Sequence, residues 1–151
     1  MQSFDHLFTV KRMAYDKPLP QSDVWSPPFW EAARKHELRM QRCAGCGYVR
    51  FPPGPTCPRC LSPEASWELL SGRGRVWSWT VFHQLYYAGF KDELPYNVAL
   101  VELEEGPRLY TNIVGIENGA LREGLPVVVT FEQATDDFTI PHFRSADVAY
   151  S

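Results

Sequence analysis

Arg42-Cys43-Ala44-Gly45-Cys46-Gly47-Tyr48-Val49-Arg50-Phe51-Pro52-Pro53-Gly54-Pro55-Thr56-Cys57-Pro58-Arg59-Cys60 is the stretch whose reading decides the fold. It contains two C-x-x-C pairs, Cys43 with Cys46 and Cys57 with Cys60, ten residues apart. Each pair sets two sulfurs on one tight turn, and two such turns facing each other supply the tetrahedron of a closed metal site. Gly47 follows Cys46 where the turn needs a residue tolerant of positive φ. Leu61 holds the matching place after Cys60, and Pro58 stiffens that second turn from inside. The reading is structural Zn2+, with iron in the same four-thiolate setting and a redox-active or disulfide pair as the alternatives. Zinc with four protein ligands keeps no open position for water or substrate, so it holds a fold together.

These four are all the cysteines of the 151-residue chain. A thiolate nucleophile is therefore not left over once the metal has taken its ligands. A chain of this length buries one modest core or two small ones, and the metal marks a part too small to fold unaided. The first sixteen residues scatter charges among apolar residues and read as neither signal peptide nor membrane span. Together with metal-held thiolates, this gives a cytoplasmic expectation.

The net charge of −3 is unevenly spread: residues 34–75 carry a net of +5 and residues 76–151 a net of −7. The basic part suits a phosphate-bearing ligand or an acidic partner, and the acidic part repels polyanions. Solvated surface is the plain alternative for both.

Three units are expected along the chain: 1–37, an N-terminal arm and helix; 38–72, the metal-binding ribbon; and 73–151, a β domain. Residues 1–22, with Pro18 and Pro20, read as an extended arm. A short helix follows from Ser26 to Glu37, with Ser26 as N-cap, Pro27 in the first helical position and Phe29, Trp30 and Ala33 on one apolar face. That face is expected to pack within the chain. From Gly72 the pattern turns to period two, with strands expected at Arg75 to His83, Asn97 to Glu104, Arg108 to Val114, Val127 to Gln133 and Thr139 to Phe143. A short helix or turn between the third and fourth, around Asn118-Gly119, fits a five-stranded Greek-key barrel. The fold class expected is thus mainly β: a short N-terminal helix, a zinc ribbon and a five-stranded antiparallel barrel.

The ordered succession Phe29-Trp30-Glu31-Ala32, Leu38 to Cys43 with Cys46-Gly47, Phe51-Pro52-Pro53, Cys57-Pro58-Arg59-Cys60, Ser71 to Val76, Pro95 to Leu103 and Pro141-His142-Phe143-Arg144 resembles a known family over residues 26–145. The family is that of the zinc-ribbon, OB-fold proteins once grouped as a domain of unknown function, of the DUF35 type, and associated with acyl-CoA metabolism. The resemblance implies a rubredoxin-like ribbon followed by an OB-fold. It also implies a role as accessory subunit, or fused domain, beside a thiolase-like enzyme or a hydratase or aldolase acting on acyl-CoA, with the catalytic residues on that partner. Leu61, where many relatives carry glycine, departs from the pattern only in the second turn.

An OB-fold binds ligands on one barrel face and through its long loops. The loop between the first two expected strands carries His83, Tyr86, Tyr87, Phe90, Lys91 and Tyr96. Such rings stack on an adenine or line a channel for a pantetheine arm, and Lys91, Arg73 and Arg75 are candidates for phosphate. These eight residues are the expected contacts for a CoA thioester or a partner; packing against the barrel mouth is the alternative. His83 and His142 show no carboxylate orienter at fixed spacing, and Asp136-Asp137 reads as a turn, so no catalytic residue is expected here. An independent hydrolase or hydratase is correspondingly disfavoured. The rival function is single-stranded nucleic-acid binding by a ribbon joined to an OB-fold, against which the acidic barrel argues.

Overall fold

The computed structural model describes residues 15–147. Most of the expected arm, residues 1–14, lies outside the described residues.

Helix α1 (Pro27–Arg34) starts with Pro27, whose fixed φ suits the first turn. Ser26 stands at the cap position but makes no side-chain cap bond. Its Oγ accepts from the Asp23 N–H (3.0 Å), while Asp23 Oδ1 accepts from the N–H groups of Trp25 and Ser26. Asp23 thus organises the entry, and the expectation of a Ser26 cap is corrected on that point. At the far end His36 takes φ of 61°, and its ring stacks on Phe131 at 5.1 Å. This left-handed residue stops the helix where glycine is the usual choice. Phe29, Ala32 and Ala33 are buried. The aromatic pair packs within the chain: Phe29 meets Phe51 of the ribbon, and Trp30 meets Phe138 of the barrel.

The ribbon is a three-stranded antiparallel sheet of β1 (Arg39–Cys43), β2 (Val49–Arg50) and β3 (Ala65–Leu69), ordered β2-β1-β3. Its proline-rich segment cannot pair as a strand and is tied down by side chains. Buried Gln41 accepts at Oε1 from Arg50 Nε and from the Gly54 N–H, both at 2.9 Å.

The remaining strands are β4 (Arg73–Phe82), β5 (Tyr96–Leu103), β6 (Arg108–Thr111), β7 (Ile113–Val114), β8 (Pro126–Gln133) and β9 (Thr139–Ser145). They form one sheet ordered β6-β5-β4-β8-β9-β7. The two ends of that order, β6 and β7, belong to the single segment Arg108–Val114, read from the sequence as one strand and divided at Asn112. On one side of the break the segment pairs antiparallel with β5, and on the other parallel with β9, so the sheet returns to itself along the backbone. A 3-10 turn at Asn118–Ala120 occupies the expected place before the fourth expected strand. β5 and β9 alternate buried and half-buried residues throughout, the pattern of strands with one face on a core.

One apolar cluster joins the parts: Leu38, Met40 and Val49 of the ribbon and Phe29 of α1 belong with Val76, Val101, Val127 and Phe143 of the barrel. Burying each such side chain contributes about 1.5–3 kcal/mol. The ribbon therefore leans on the barrel core and completes it. No helix among the described residues is long and apolar enough to cross a membrane.

Candidate metal centre and barrel cleft

The two knuckles have the same construction. The N–H of Gly47 bonds the carbonyl of Cys43 and the N–H of Leu61 that of Cys57, both at 2.9 Å. Both closing residues are left-handed, Gly47 at φ 80° and Leu61 at φ 67°. Leu61 adopts the conformation that its position demands despite its side chain, which is left in solvent. Backbone N–H groups point at sulfur, Gly45 to Cys43 at 3.3 Å and Arg59 to Cys57 at 3.4 Å.

All four Sγ atoms lie within 4.8 Å of one another. Cys43 and Cys60 are 3.4 Å apart and Cys46 and Cys57 3.6 Å. A tetrahedron with Zn–S bonds of about 2.3 Å has edges of about 3.8 Å, whereas a disulfide needs about 2.05 Å. The electrostatics call for the same cation. The N–H of Cys46, with the Cys60 thiol and the N–H of Gly45, draws the Cys43 thiol down to about 6 against the effect of burial. The Ser62 N–H favours the Cys60 thiolate, yet the neighbouring Cys43, Cys46 and Cys57 sulfurs together with burial push it up to about 11. Four thiolates this close ionise together only around a cation, so the residues fit structural zinc. Around the site Arg42 bridges Glu68, through Nε at 2.9 Å, and the carbonyl of Gly47, and the Arg59 guanidinium lies over the Tyr48 ring at 5.2 Å.

The second candidate region is the loop between β4 and β5, shaped by a 3-10 turn at Ala88–Glu93. Tyr96 stacks on Phe90 (4.4 Å) and on Phe82 (5.3 Å), while Tyr86 and Tyr87 are exposed beside them. His83 and Lys91 are exposed on the same loop. Arg73 and Arg75 stand at the other end of β4; Phe82 is seven positions along the strand from Arg75, about 23 Å. The structure therefore gathers the aromatic candidates and sets the two arginines apart from them. Arg75 and Arg108 both bond the Glu102 carboxylate.

Tyr96 also lines a cleft of about 710 Å³ between the loop and the face of β8 and β9, with Lys17, Glu93, Asn112, Thr130, Glu132 and His142 among its walls. The arm crosses here. Lys17 pairs with Glu93 at 2.8 Å and lies over the Phe90 ring, and Asp16 sits so close to Gly89 that a Cβ there would fall 2.6 Å from the Asp16 carbonyl oxygen. Burial, with Glu132 and Glu93 nearby, pushes the Tyr15 phenol up to about 12. His142 Nε2 bonds Glu132 Oε1 at 2.8 Å, and its Nδ1 is buried without a partner among the described residues. The carboxylate beside His142, not evident from sequence spacing, comes from strand register. Thr130 pairs with His142 and Glu132 with Ile140, which makes Glu132 and His142 diagonal neighbours. Lys17, Glu93 and the Asn112 wall were likewise not foreseen; only a predicted register and arm path would have revealed them.

Comparison with known proteins agrees with this architecture. Residues 30–65 match the model of the ChsH2 rubredoxin-like zinc ribbon domain, and residues 67–132 that of the ChsH2 C-terminal OB-fold domain. The chain is 46% identical over 119 residues to a probable enoyl-CoA hydratase alpha subunit of Thermomonospora curvata, covering 78% of this chain and 37% of that one. It spans little more than a third of that relative's length. It is 35% identical over 97 residues to a DUF35 domain-containing scaffold protein of Methanocaldococcus jannaschii, covering 64% of this chain and 68% of that one. Among solved structures, a chain of the Ltp2-ChsH2(DUF35) aldolase superposes with a TM-score of 0.78 at 41% identity, over 85% of this chain and 99% of that one. With its ribbon, its OB-fold and these relatives, the chain belongs to the DUF35 family of zinc-ribbon, OB-fold proteins.

Proposed function

We propose that this chain is an accessory subunit of a thiolase-like acyl-CoA enzyme complex, docking on a catalytic subunit and helping to form the site for the CoA thioester. The observation that carries the reading is that every thiol of the chain lies in the metal cluster. Acyl transfer of the thiolase kind needs a cysteine nucleophile, and this chain has none to offer. The names of its relatives, a hydratase subunit, a scaffold protein and an aldolase complex, support a supporting role in acyl-CoA chemistry.

In this reading the aromatic loop lies along the neutral pantetheine or acyl portion, with Tyr86, Tyr87, Phe90 and Tyr96 supplying apolar contact. Glu93 and Glu132 make the adjoining cleft a poor place for phosphates. The phosphates are met instead by the separate basic positions, Arg73 and Arg75 or the ribbon, or by the partner.

The test is an affinity pull-down of the tagged chain from its native cells, with mass spectrometry of what remains bound in moderate salt. A thiolase-like or other acyl-CoA-processing subunit recovered in comparable amount is expected. Turnover of acyl-CoA thioesters by the purified chain alone, at an enzyme-like rate, would sink the accessory reading. Retention of nucleic acid in place of a protein partner would do the same.

A further inference from the structure

β4 runs on past its second neighbour. Its first residues, Arg73 to Arg75, pair with β8, and Val76 exchanges backbone bonds with Leu125 and Gly124. At Trp77 a bulge interrupts the ladder. From Ser78 to Phe82 the strand is paired with β5 on one side, and among the described residues no strand pairs with the other. Residues 77–80 are all exposed, with Trp77 at 46% and Trp79 at 37% of their full surface.

An open edge is ordinarily protected by a lysine, a proline or an inward charge. Here residues 76–90 contain no Asp, Glu, Lys, Arg or Pro. Apart from Ser78, the segment Trp77-Ser78-Trp79-Thr80-Val81-Phe82 is instead made of residues that favour strands. Tryptophan is also the residue type most enriched at the energetic centres of interfaces.

We infer that this edge pairs antiparallel with the same edge of a second copy of the chain, about a two-fold axis at Thr80. That register sets Thr80 opposite Thr80 of the second copy, Trp79 opposite Val81 and Ser78 opposite Phe82. It matches the strand faces, since Ser78, Thr80 and Phe82 share one side and Trp79 and Val81 the other. Threonine opposite threonine and aromatic opposite β-branched are favourable cross-strand pairs. The free stretch Ser78 to Phe82 carries no charged residue, so no like charges meet across the axis. The contact is isologous and closes at two copies, continuing the barrel sheet from one chain into the other. It is independent of the accessory role and leaves the exposed part of the aromatic loop beside the junction.

The zinc-loaded full chain is examined by sedimentation velocity and light scattering over low to high micromolar concentration. A reversible monomer–dimer equilibrium is expected. Thr80→Lys and, separately, Ser78→Lys should each weaken it by about tenfold or more, because the first sets lysine opposite lysine at the axis and the second sets a lysine ammonium against Phe82 in the paired edge. Thr80→Val should keep it. Circular dichroism and zinc content are measured alongside to check that each variant keeps the fold. A chain monomeric throughout the range overturns the inference, as does a dimer indifferent to both lysine variants.

Discussion

The side-chain amide of Asn97 makes both halves of a strand-like bond with the backbone of Ile113: Nδ2 donates to the carbonyl at 2.9 Å and Oδ1 accepts from the N–H at 2.8 Å. This pair sits where the segment Arg108–Val114 leaves β5 to join β9. The departure takes the Ile113 backbone N–H and carbonyl out of the ladder with β5, and the Asn97 side chain stands in on that side. Asn112 Nδ2 returns a bond to the Asn97 carbonyl, and Asn118 Oδ1 takes the second Nδ2 hydrogen of Asn97.

Because Asn97 is 6% exposed, removing its amide strands buried backbone groups. Asn97→Ala should cost about 2–4 kcal/mol, as two unsatisfied groups plus a small cavity imply. Urea denaturation is the measurement. Asn97→Asp should rescue little, since a carboxylate accepts from the Ile113 N–H but donates nothing to its carbonyl. A loss under 0.5 kcal/mol for the alanine variant would mean that water replaces the amide.

The metal site carries a second prediction. Cys57→Ser should abolish stoichiometric zinc by elemental analysis, and Co2+ in the native site should show the thiolate charge-transfer bands of a tetrahedral centre. Leu38, Met40 and Val49 share one core with Val76 and Val101, so the loss cannot stay local. Stripping the metal should lower the thermal midpoint of the barrel as well as unfold the ribbon. A barrel transition unmoved by chelation would show that the two cores are energetically separate.

What the sequence made legible follows from how local each signal is. Two C-x-x-C pairs contain their own turn geometry, so the ribbon could be read from spacing, down to the strained place of Leu61. Alternation revealed β5 and β9 for the same reason. The Ser26 cap failed because Pro27 and Pro28 offer no N–H in the first turn and the Ser26 hydroxyl is engaged by the Asp23 N–H and by Ser22 Oγ instead. The split at Asn112 and the Glu132–His142 bond depend on which strands neighbour each other, which no local pattern encodes. The aromatic loop was legible as a cluster, whereas its distance from Arg73 and Arg75 required the length and direction of β4.

Glu102 supplies a prediction in pH. Hydrogen bonds from Arg75 and then Arg108 hold its carboxyl below the usual carboxylate range. A depressed folded-state pKa adds stability above the ordinary carboxylate value and loses it as pH falls through the lowered one. A carbon-detected NMR titration of the Glu102 carboxyl should show the depression, and Arg75→Ala and Arg108→Ala should each move it upward. An unmoved titration in both variants would remove the arginines as its cause. High salt should shrink the effect, because these side chains reach solvent.

Two glycines distinguish close approach from mere turn chemistry. Gly74 lies in β4 between Leu103 of β5 and Val127 of β8, and a Cβ there would come within 2.6 Å of the Glu102 carbonyl oxygen and 2.9 Å of Val101 Cγ1. The first obstacle is backbone in a paired strand and cannot swing aside. Gly74→Ala should therefore destabilise by about 1–3 kcal/mol, the range of overpacked sites. Gly54 meets nothing within 4 Å, and its N–H bond to Gln41 survives substitution. Gly54→Ala should be neutral, or stabilising by up to about 1 kcal/mol through the unfolded chain. Chemical denaturation of both variants, with zinc bound, measures the contrast. Equal effects at the two positions would mean that β4 and β5 part easily at Gly74, and the tight crossing of the barrel there would not be a source of its stability.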